Sequence, residues 1–507
     1  MTSRIKNSML NSSVSSLIYL FRTILGFVSR TFFIKLLGIE ILGLNGLFTN
    51  VLSFLSLTEL GIGTSIVVEL YKPIAFNNRE SIKSLMRLYK RAYDAIGLAV
   101  GLIGIAIMPI LPYVMKDYTV TPVVYLYYVL FLANSVVSYF FTYKRSMLNA
   151  NQANYVTVIN DFGFYVVSII AQIGCLILWR SFIAYLVVQI ITTALSNLNI
   201  SRIVDKRYPF INEKDVQPVS KEVKAKLLHN IVGNVSNQIG SIVVLGSDNI
   251  LISSFVGLAA VGLYSNYTLI TNAIKGVITQ ATNAVVPTVG NLVVSSETKH
   301  SVQVFKSYHF VNSTMSFLAG VGTFAFINNF VRVWLGGKYV LPVHTAALMS
   351  VYVAALLYQG SARTFYSAYG LFWQQRWKPV FESLVNLGVS IFLLWGFHLG
   401  IDGVLLGTLT STFIVDLWFE PFVLFRFGFH QSLRPYLVKT GGFYLRLALA
   451  LGVFAKIQIM FKIQSISSFV IYLSGGLVVL LVLYLLLFGF DPQLRSLIVR
   501  ARKIFTP

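Results

Sequence analysis

Apolar runs of 18 or more residues recur from one end of this 507-residue chain to the other, separated by short basic loops. A helix of that length spans the hydrocarbon of a bilayer, and a soluble core has no use for so many of them. Only 11% of the residues are charged, against 56% hydrophobic, and the mean hydropathy is +0.73. The pattern predicts an all-α polytopic membrane protein with fourteen helices, over 15–37, 42–69, 92–114, 122–142, 155–179, 182–204, 227–254, 259–290, 309–335, 343–370, 378–397, 400–424, 440–456 and 468–488. The longest polar interruption, Asp205 to Lys226, is too short to bury a core of its own.

These helices group as an N-terminal lobe over 1–204, a linker over 205–226, a C-terminal lobe over 227–425, and a last pair with a basic tail over 426–507. The tail places Leu494, Ile498, Ala501 and Phe505 on one face, as an interfacial helix does. Met1 to Ser12 lacks a compact apolar region ending in a cleavage site, so the first apolar segment is expected to be retained.

The net charge of +22 invites a nucleic-acid partner, but the placement of the charges argues otherwise. Of the 40 Lys and Arg, 28 fall in loops on one side of the predicted spans. That is the positive-inside bias, which predicts both termini cytoplasmic and needs no nucleic acid. Cys175, the single cysteine, excludes intrachain disulfides and cysteine metal clusters. No G-x-x-x-x-G-K-[ST] and no H-E-x-x-H occur, so neither a P-loop motor nor a zinc-protease centre is expected, and no cofactor is.

Function is signalled by charge inside the spans. A charged side chain at the bilayer centre costs roughly 3 kcal/mol or more, so such residues face a bundle interior or a wet cavity. Spacings of three and four align polar residues into stripes. The first helix carries Tyr19, Arg22, Gly26 and Arg30, and the second carries Asn45, Thr49, Ser56, Glu59 and Gly63. The seventh carries Asn230, Asn234, Asn237, Ser241 and Asp248. The eighth carries Tyr264, Thr268, Thr271, Lys275 and Thr279, and the tenth Tyr352, Gln359, Arg363 and Tyr366. Hydroxyls and amides in such stripes also serve as contacts between helices. The cations Arg22, Arg30, Lys275 and Arg363 outnumber the acids Glu59 and Asp248, which suits a phosphorylated anion. Glu59 and Asp248 have two readings, as counter-ions or as carboxylates that bind a coupling H⁺ or Na⁺. Arg446 lies close enough to a helix end to snorkel.

A repeat at an offset of 219 residues supports two related halves. Leu37 to Asn45 reads LGIEILGLN and Val256 to Tyr264 reads VGLAAVGLY, which aligns Gly38, Gly43 and Leu44 with Gly257, Gly262 and Leu263.

The runs LGLNGLFTNVLSFLSLTELGIGTSIVVELYKPIA (Leu42 to Ala75) and GSDNILISSFVGLAAVGLYSNYTLI (Gly246 to Ile270), with VPTVGNL (Val286 to Leu292), resemble polysaccharide-unit flippases of the Wzx type in the MOP exporter superfamily. The resemblance implies a MATE/MOP-like fold of two six-helix lobes around a central cavity, in the bacterial cytoplasmic membrane. It implies transport of an undecaprenyl-diphosphate-linked oligosaccharide to the outer leaflet for capsule or exopolysaccharide, with membrane lipids and polymerase or assembly proteins as partners. The diphosphate would engage Arg22, Arg30, Lys275 and Arg363. Sugars would lie near Asn45, Asn234, Asn237, Tyr264, Thr271, Tyr352, Gln359 and Tyr366. Related lipid II flippases carry cavity arginines on helices 1, 2 and 8 and have two extra C-terminal helices. This chain has the extra helices, but offers Glu59 on helix 2 and Lys275 on helix 8, which counts against lipid II. A teichoic-acid precursor is a further lipid-linked alternative. A multidrug antiporter would want an acidic cavity, and a membrane glycosyltransferase a catalytic domain or long loop that this chain lacks.

Overall fold

A computed structural model describes residues 2–59, 62–213, 215–225, 227, 246–283, 289–290, 292–293, 297–461, 463 and 465–496. Of these, the side chains of residues 2–12, 57, 58, 62, 64, 281 and 283 lie outside the description. The described residues are predominantly helical, with no strand among them. The helices are α1 (Thr2–Leu37), α2 (Ile39–Leu55), α3 (Ile62–Ala75), α4 (Arg79–Ile107), α5 (Pro122–Tyr139), α6 (Arg145–Ala150), α7 (Asn154–Trp179) and α8 (Phe182–Arg207). After the helical stretch 246–255 come α9 (Leu258–Asn283), α10 (Thr298–Trp334), α11 (Val343–Tyr358), α12 (Gly360–Ala368), α13 (Lys378–Gly396), α14 (Ile401–Ser411), α15 (Leu417–Val423), α16 (Arg434–Met460) and α17 (Ile466–Phe488). The chain divides into two compact units, Met1–Gly262 and Leu263–Pro507.

Eleven helical segments among the described residues are long and apolar enough to cross a membrane, each overlapping one of the fourteen expected spans. The other three expectations fare differently. Most of 227–254 lies outside the described residues, as do Asn234 and Asn237, and the tail beyond residue 496 does too. The span expected at 259–290 forms α9, whose Asn, Thr, Tyr and Lys275 keep it below the hydropathy of the eleven. The span expected at 42–69 is broken: α2 ends at Leu55, a 3₁₀ turn covers Ser56–Glu59, and α3 starts at Ile62. Gly63 weakens the helix there, and the Glu59 carboxylate is held from the side by the Tyr93 hydroxyl of α4.

The repeated glycines are a packing device in the first unit. Gly38 and Gly257 follow helical turns with φ of 88° and 121°, donating to Ile34 O at 3.0 Å and Ile252 O at 2.9 Å. Only glycine adopts such values without strain. A methyl group on Gly43 would strike the backbone of Leu258, and one on Gly262 the carbonyl and side chain of Ile39. The two copies of the motif therefore cross reciprocally at backbone contact, as small residues allow in a membrane. Asn50 Nδ2 donates to Gly246 O at 3.2 Å and Ser253 Oγ to Val114 O at 2.6 Å, seating 246–262 within the first unit.

In the second unit, α10 is the central column. Phe305, Phe317 and Phe324 are buried among Tyr358, Phe365, Phe429 and Phe443. The helix is interrupted at Gln359, between α11 and α12, and Asn312 Nδ2 takes up the released carbonyls of Leu357 and Tyr358 at 2.7 and 3.0 Å. The last pair packs on α10 through Tyr472 Oη to Ala325 O at 3.1 Å and Thr314 with Tyr484 at 2.9 Å. Their outer faces leave Leu445, Leu449, Ile471, Val478, Leu481 and Leu486 exposed, the surface a lipid contact needs.

Gly43→Val and Gly262→Val are expected to lower stability by about 1–3 kcal/mol each through overpacking at the crossing. A thermal melt of the detergent-solubilised protein measures this; Gly163→Val, where nothing lies within 4 Å, is the control expected to melt as the parent does.

Candidate functional site

The first unit holds a polar cleft of about 450 Å³ between α1, α2, α7 and α8. Helix periodicity builds its walls. Asp161, Tyr165, Ser168 and Gln172 recur at steps of four, three and four on α7, and Tyr185, Gln189, Thr192 and Ser196 do the same on α8. Arg22 enters from α1, and Asn45 and Thr49 from α2.

The cleft holds two arginines in opposite states. Arg145, at the first turn of α6, meets Asp161 through two parallel bonds of 2.6 and 2.9 Å, and its second amino group also donates to Asn197 at 2.8 Å. Ser196 Oγ adds a bond of 3.1 Å to Asp161, and Asn160 braces Ser196 at 2.9 Å. That charge is neutralised and fully oriented. Arg22 is exposed to the cleft, its guanidinium 5.0 Å from the centre of the Tyr165 ring, and meets no carboxylate among the described residues. The cleft therefore has a residual charge of one cation, surrounded by amides and hydroxyls that both donate and accept.

Arg30, two turns further along α1, is half-buried and its Nη1 is enclosed with no hydrogen-bond partner. Leaving a buried donor of a charged group unsatisfied costs more than a neutral one would, so its presence needs a reason. Glu59 lies beside Tyr93, which packs edge-on to Tyr89 at 4.6 Å. Asp248 is half-buried in the helical stretch 246–255.

In the second unit, Lys275 sits over the Tyr352 ring at 5.5 Å. Tyr264, Thr271 and Gln359 are buried, and Tyr366 is half-buried with its ring edge-on to Phe372. Arg363 occupies a closed ion-pair cluster that the sequence reading did not anticipate. Its Nε reaches the Glu420 carboxylate at 3.1 and 3.2 Å, and its Nη2 reaches Gln359 Oε1 at 2.7 Å and Asp416 at 3.6 Å. Lys378 Nζ lies 2.8 Å from Glu420, 2.8 Å from Asp416 and 3.1 Å from Glu382. Three acids thus surround two cations, with Arg363 committed to protein partners. Asp416 and Glu420 reach this position on a helix that widens into π turns at Thr412–Asp416 and Leu424–Phe429, a local irregularity frequent at functional sites.

Sequence reasoning missed the α7 and α8 walls and this cluster. Both walls are encoded at the same three- and four-residue spacings on those helices. The cluster is hidden in the sequence because Lys378 stands at the first position of an expected span, where a loop charge also would, and the two acids lie four apart in a run rich in aromatic residues.

Solved structures place the fold. The lipid II flippase MurJ in an inward closed conformation matches with a TM-score of 0.67 at 16% identity, covering 95% of this chain and 99% of that one. An inward-facing multidrug resistance MATE family transporter of the MOP superfamily matches at 0.62 and 15%, covering 80% and 98%. The Vibrio cholerae MATE transporter VcmN in the bent form matches at 0.52 and 14%, covering 90% and 99%. The chain has the all-helical fold of MOP-superfamily transporters and is a multi-pass membrane protein. Residues 8–293, more than half of the sequence, match the family described as Polysaccharide biosynthesis protein, and the chain belongs to that family. No curated protein matches it.

Removing one member of a buried ion-pair network leaves an uncompensated charge and costs about 3–5 kcal/mol. Glu420→Ala is therefore expected to reduce the folded monomer fraction sharply in size-exclusion chromatography, and replacing Arg363, Lys378, Asp416 and Glu420 together by apolar residues of similar size to restore much of it.

Proposed function

We propose that this protein is a transporter that moves a polyprenyl-diphosphate-linked oligosaccharide across the bacterial cytoplasmic membrane by alternating access, supplying repeat units for a capsule or exopolysaccharide. The observation that carries the reading is the cleft of the first unit, in which Arg22 is a cation without a carboxylate amid amides and hydroxyls. Membership of a polysaccharide biosynthesis family supports a glycan cargo. Hydroxyl-rich sugars match such a lining, and a phosphate group matches the guanidinium. An organic cation, the alternative cargo, would be repelled by the cleft's one uncompensated charge.

In this proposal Arg22 receives the diphosphate and Arg30 supplies a second, dehydrated positive charge along α1. Asn45, Gln172, Gln189 and Thr193 contact sugars. Lys275 keeps its proposed role as a phosphate contact on its own unit, whereas the charge of Arg363 is already spent on Glu420. Glu59, within reach of Tyr93, is the carboxylate proposed to bind the coupling H⁺ or Na⁺, and the basic loops are proposed to face the cytoplasm. Partner assembly proteins would take the unit once it reaches the outer leaflet.

Arg22→Ala is expected to abolish transfer of a labelled lipid-diphosphate oligosaccharide in proteoliposomes at unchanged protein level. Arg30→Met makes a sharper case: removing an unsatisfied buried donor should leave the melting temperature equal or higher while transport falls. Wild-type transport by both variants would remove the diphosphate assignment. Glu59→Gln retains an acceptor for Tyr93 and should cancel the dependence of transport on an imposed H⁺ or Na⁺ gradient. A persisting dependence would take Glu59 out of the coupling role.

A further inference from the structure

A second cavity of about 510 Å³ opens in the first unit, on the side where the basic loops gather and apart from the cleft described above. Its volume falls within the range of about 300–1,000 Å³ usual for small-molecule sites. Asn77 and Arg79 from the α3–α4 turn line it, with Asn151 after α6 and Arg207, Tyr208 and Phe210 at the end of α8.

The pairing pattern around this cavity sets two arginines apart. Lys83 is bound by Glu80 and by Glu213 at 2.8 Å, and Lys144 by Asp205 at 2.6 Å. Glu213 also lines the cavity, but its carboxylate is the one taken by Lys83. Asp205 accepts a further bond from Asn212 at 2.7 Å. These acids are engaged by the two lysines, while Arg79 and Arg207 meet no carboxylate among the described residues. The surrounding frame is fixed. Asn78 caps α4 through Ser81 N at 3.1 Å, holding Arg79 in the first helical turn, and Tyr208 N closes α8 on Val204 O at 2.8 Å. The Arg79 guanidinium lies 5.5 Å from the Phe210 ring, which stands edge-on to Tyr208 at 6.4 Å.

Two guanidinium groups with free donors, two carboxamides and an aromatic wall make an acceptor site for a phosphate oxyanion. We propose that this cavity binds a phosphate ester presented from the basic face, at a site separate from the transport cleft. Tyr208, Phe210 and Glu213 belong to the segment leaving α8, whereas Asn77 and Arg79 belong to the α3–α4 turn. A phosphate bound between them would add a second tie between that segment and the helical frame, beside the bond from Lys83 to Glu213. The shared chemistry has two sources, the headgroup of an anionic phospholipid and a soluble phosphate ester.

The full-length protein in phosphatidylcholine nanodiscs separates them. ADP titrated by calorimetry probes the soluble source, and phosphatidylglycerol retained in native mass spectrometry probes the lipid source; binding of either supports the site and names its ligand. Arg79→Ala/Arg207→Ala is expected to weaken that binding about tenfold or more, and Arg79→Lys/Arg207→Lys to weaken it less. Both variants alter exposed side chains, and an unchanged melting temperature verifies the fold. Arg22→Ala should bind as the parent does. Absence of binding by both probes, equal binding by the double alanine variant, or loss of binding in Arg22→Ala would overturn the proposal.

Discussion

A charge placed inside a membrane protein must be solvated by something other than hydrocarbon, and that requirement separates this chain's cations into two kinds. Arg145, Arg363 and Lys378 are enclosed by carboxylates at hydrogen-bond distance. Their charge is cancelled, and what they contribute is orientation of the helices that carry them. Arg22 and Arg30 have no such partner among the described residues. An enclosed guanidinium with an unsatisfied donor lowers stability, so its benefit lies outside folding.

Positioning of these groups depends on departures from the regular helix. The chain breaks after Leu55 so that Glu59 turns towards Tyr93, and it breaks at Gln359 so that Asn312 can take two carbonyls and Arg363 can meet Glu420. π turns flank the Asp416 and Glu420 stretch. Irregular backbone at membrane depth is tolerated only where protein groups satisfy it, so each break implies a side chain dedicated to repairing it. The glycine crossing of Gly43 and Gly262 supplies the complementary element, a close contact that leaves no room for adjustment.

Most spans and the glycine repeat were legible because hydropathy and backbone φ are local properties, whereas the polar first turns of the helices starting at Arg79 and Thr298 carry no apolar signal. Eleven spans needed only apolar length. The α2 break was not legible: the local glycines weaken a helix only modestly, and the hydroxyl that holds Glu59 comes from Tyr93, more than thirty residues downstream. In the site, Arg22 stood out as a charge in an apolar run, and the wall facing it was encoded in a period visible on α7 and α8. Arg145 and Lys378 lie at helix starts, where a solvated cation and one folded back against an acid have the same sequence signature. Pairing is a tertiary property, and it decides whether a cation is available to a ligand.

The pairing of Arg145 with Asp161 has a further consequence for a transport cleft. Two free guanidinium groups would hold a phosphorylated cargo through several charge-assisted bonds, each worth more than a neutral one. Conduction requires binding strong enough to admit a solute and weak enough to release it. With Arg145 committed to Asp161 and Asn197, the cleft presents one net positive charge over a lining of amides and hydroxyls whose bonds exchange readily with water. In the proposed function, recognition is then distributed over many weak contacts in the cleft, with Arg22 the one uncompensated charge in its lining and Arg30 enclosed outside it, an arrangement suited to holding an anionic, hydroxyl-rich cargo without trapping it.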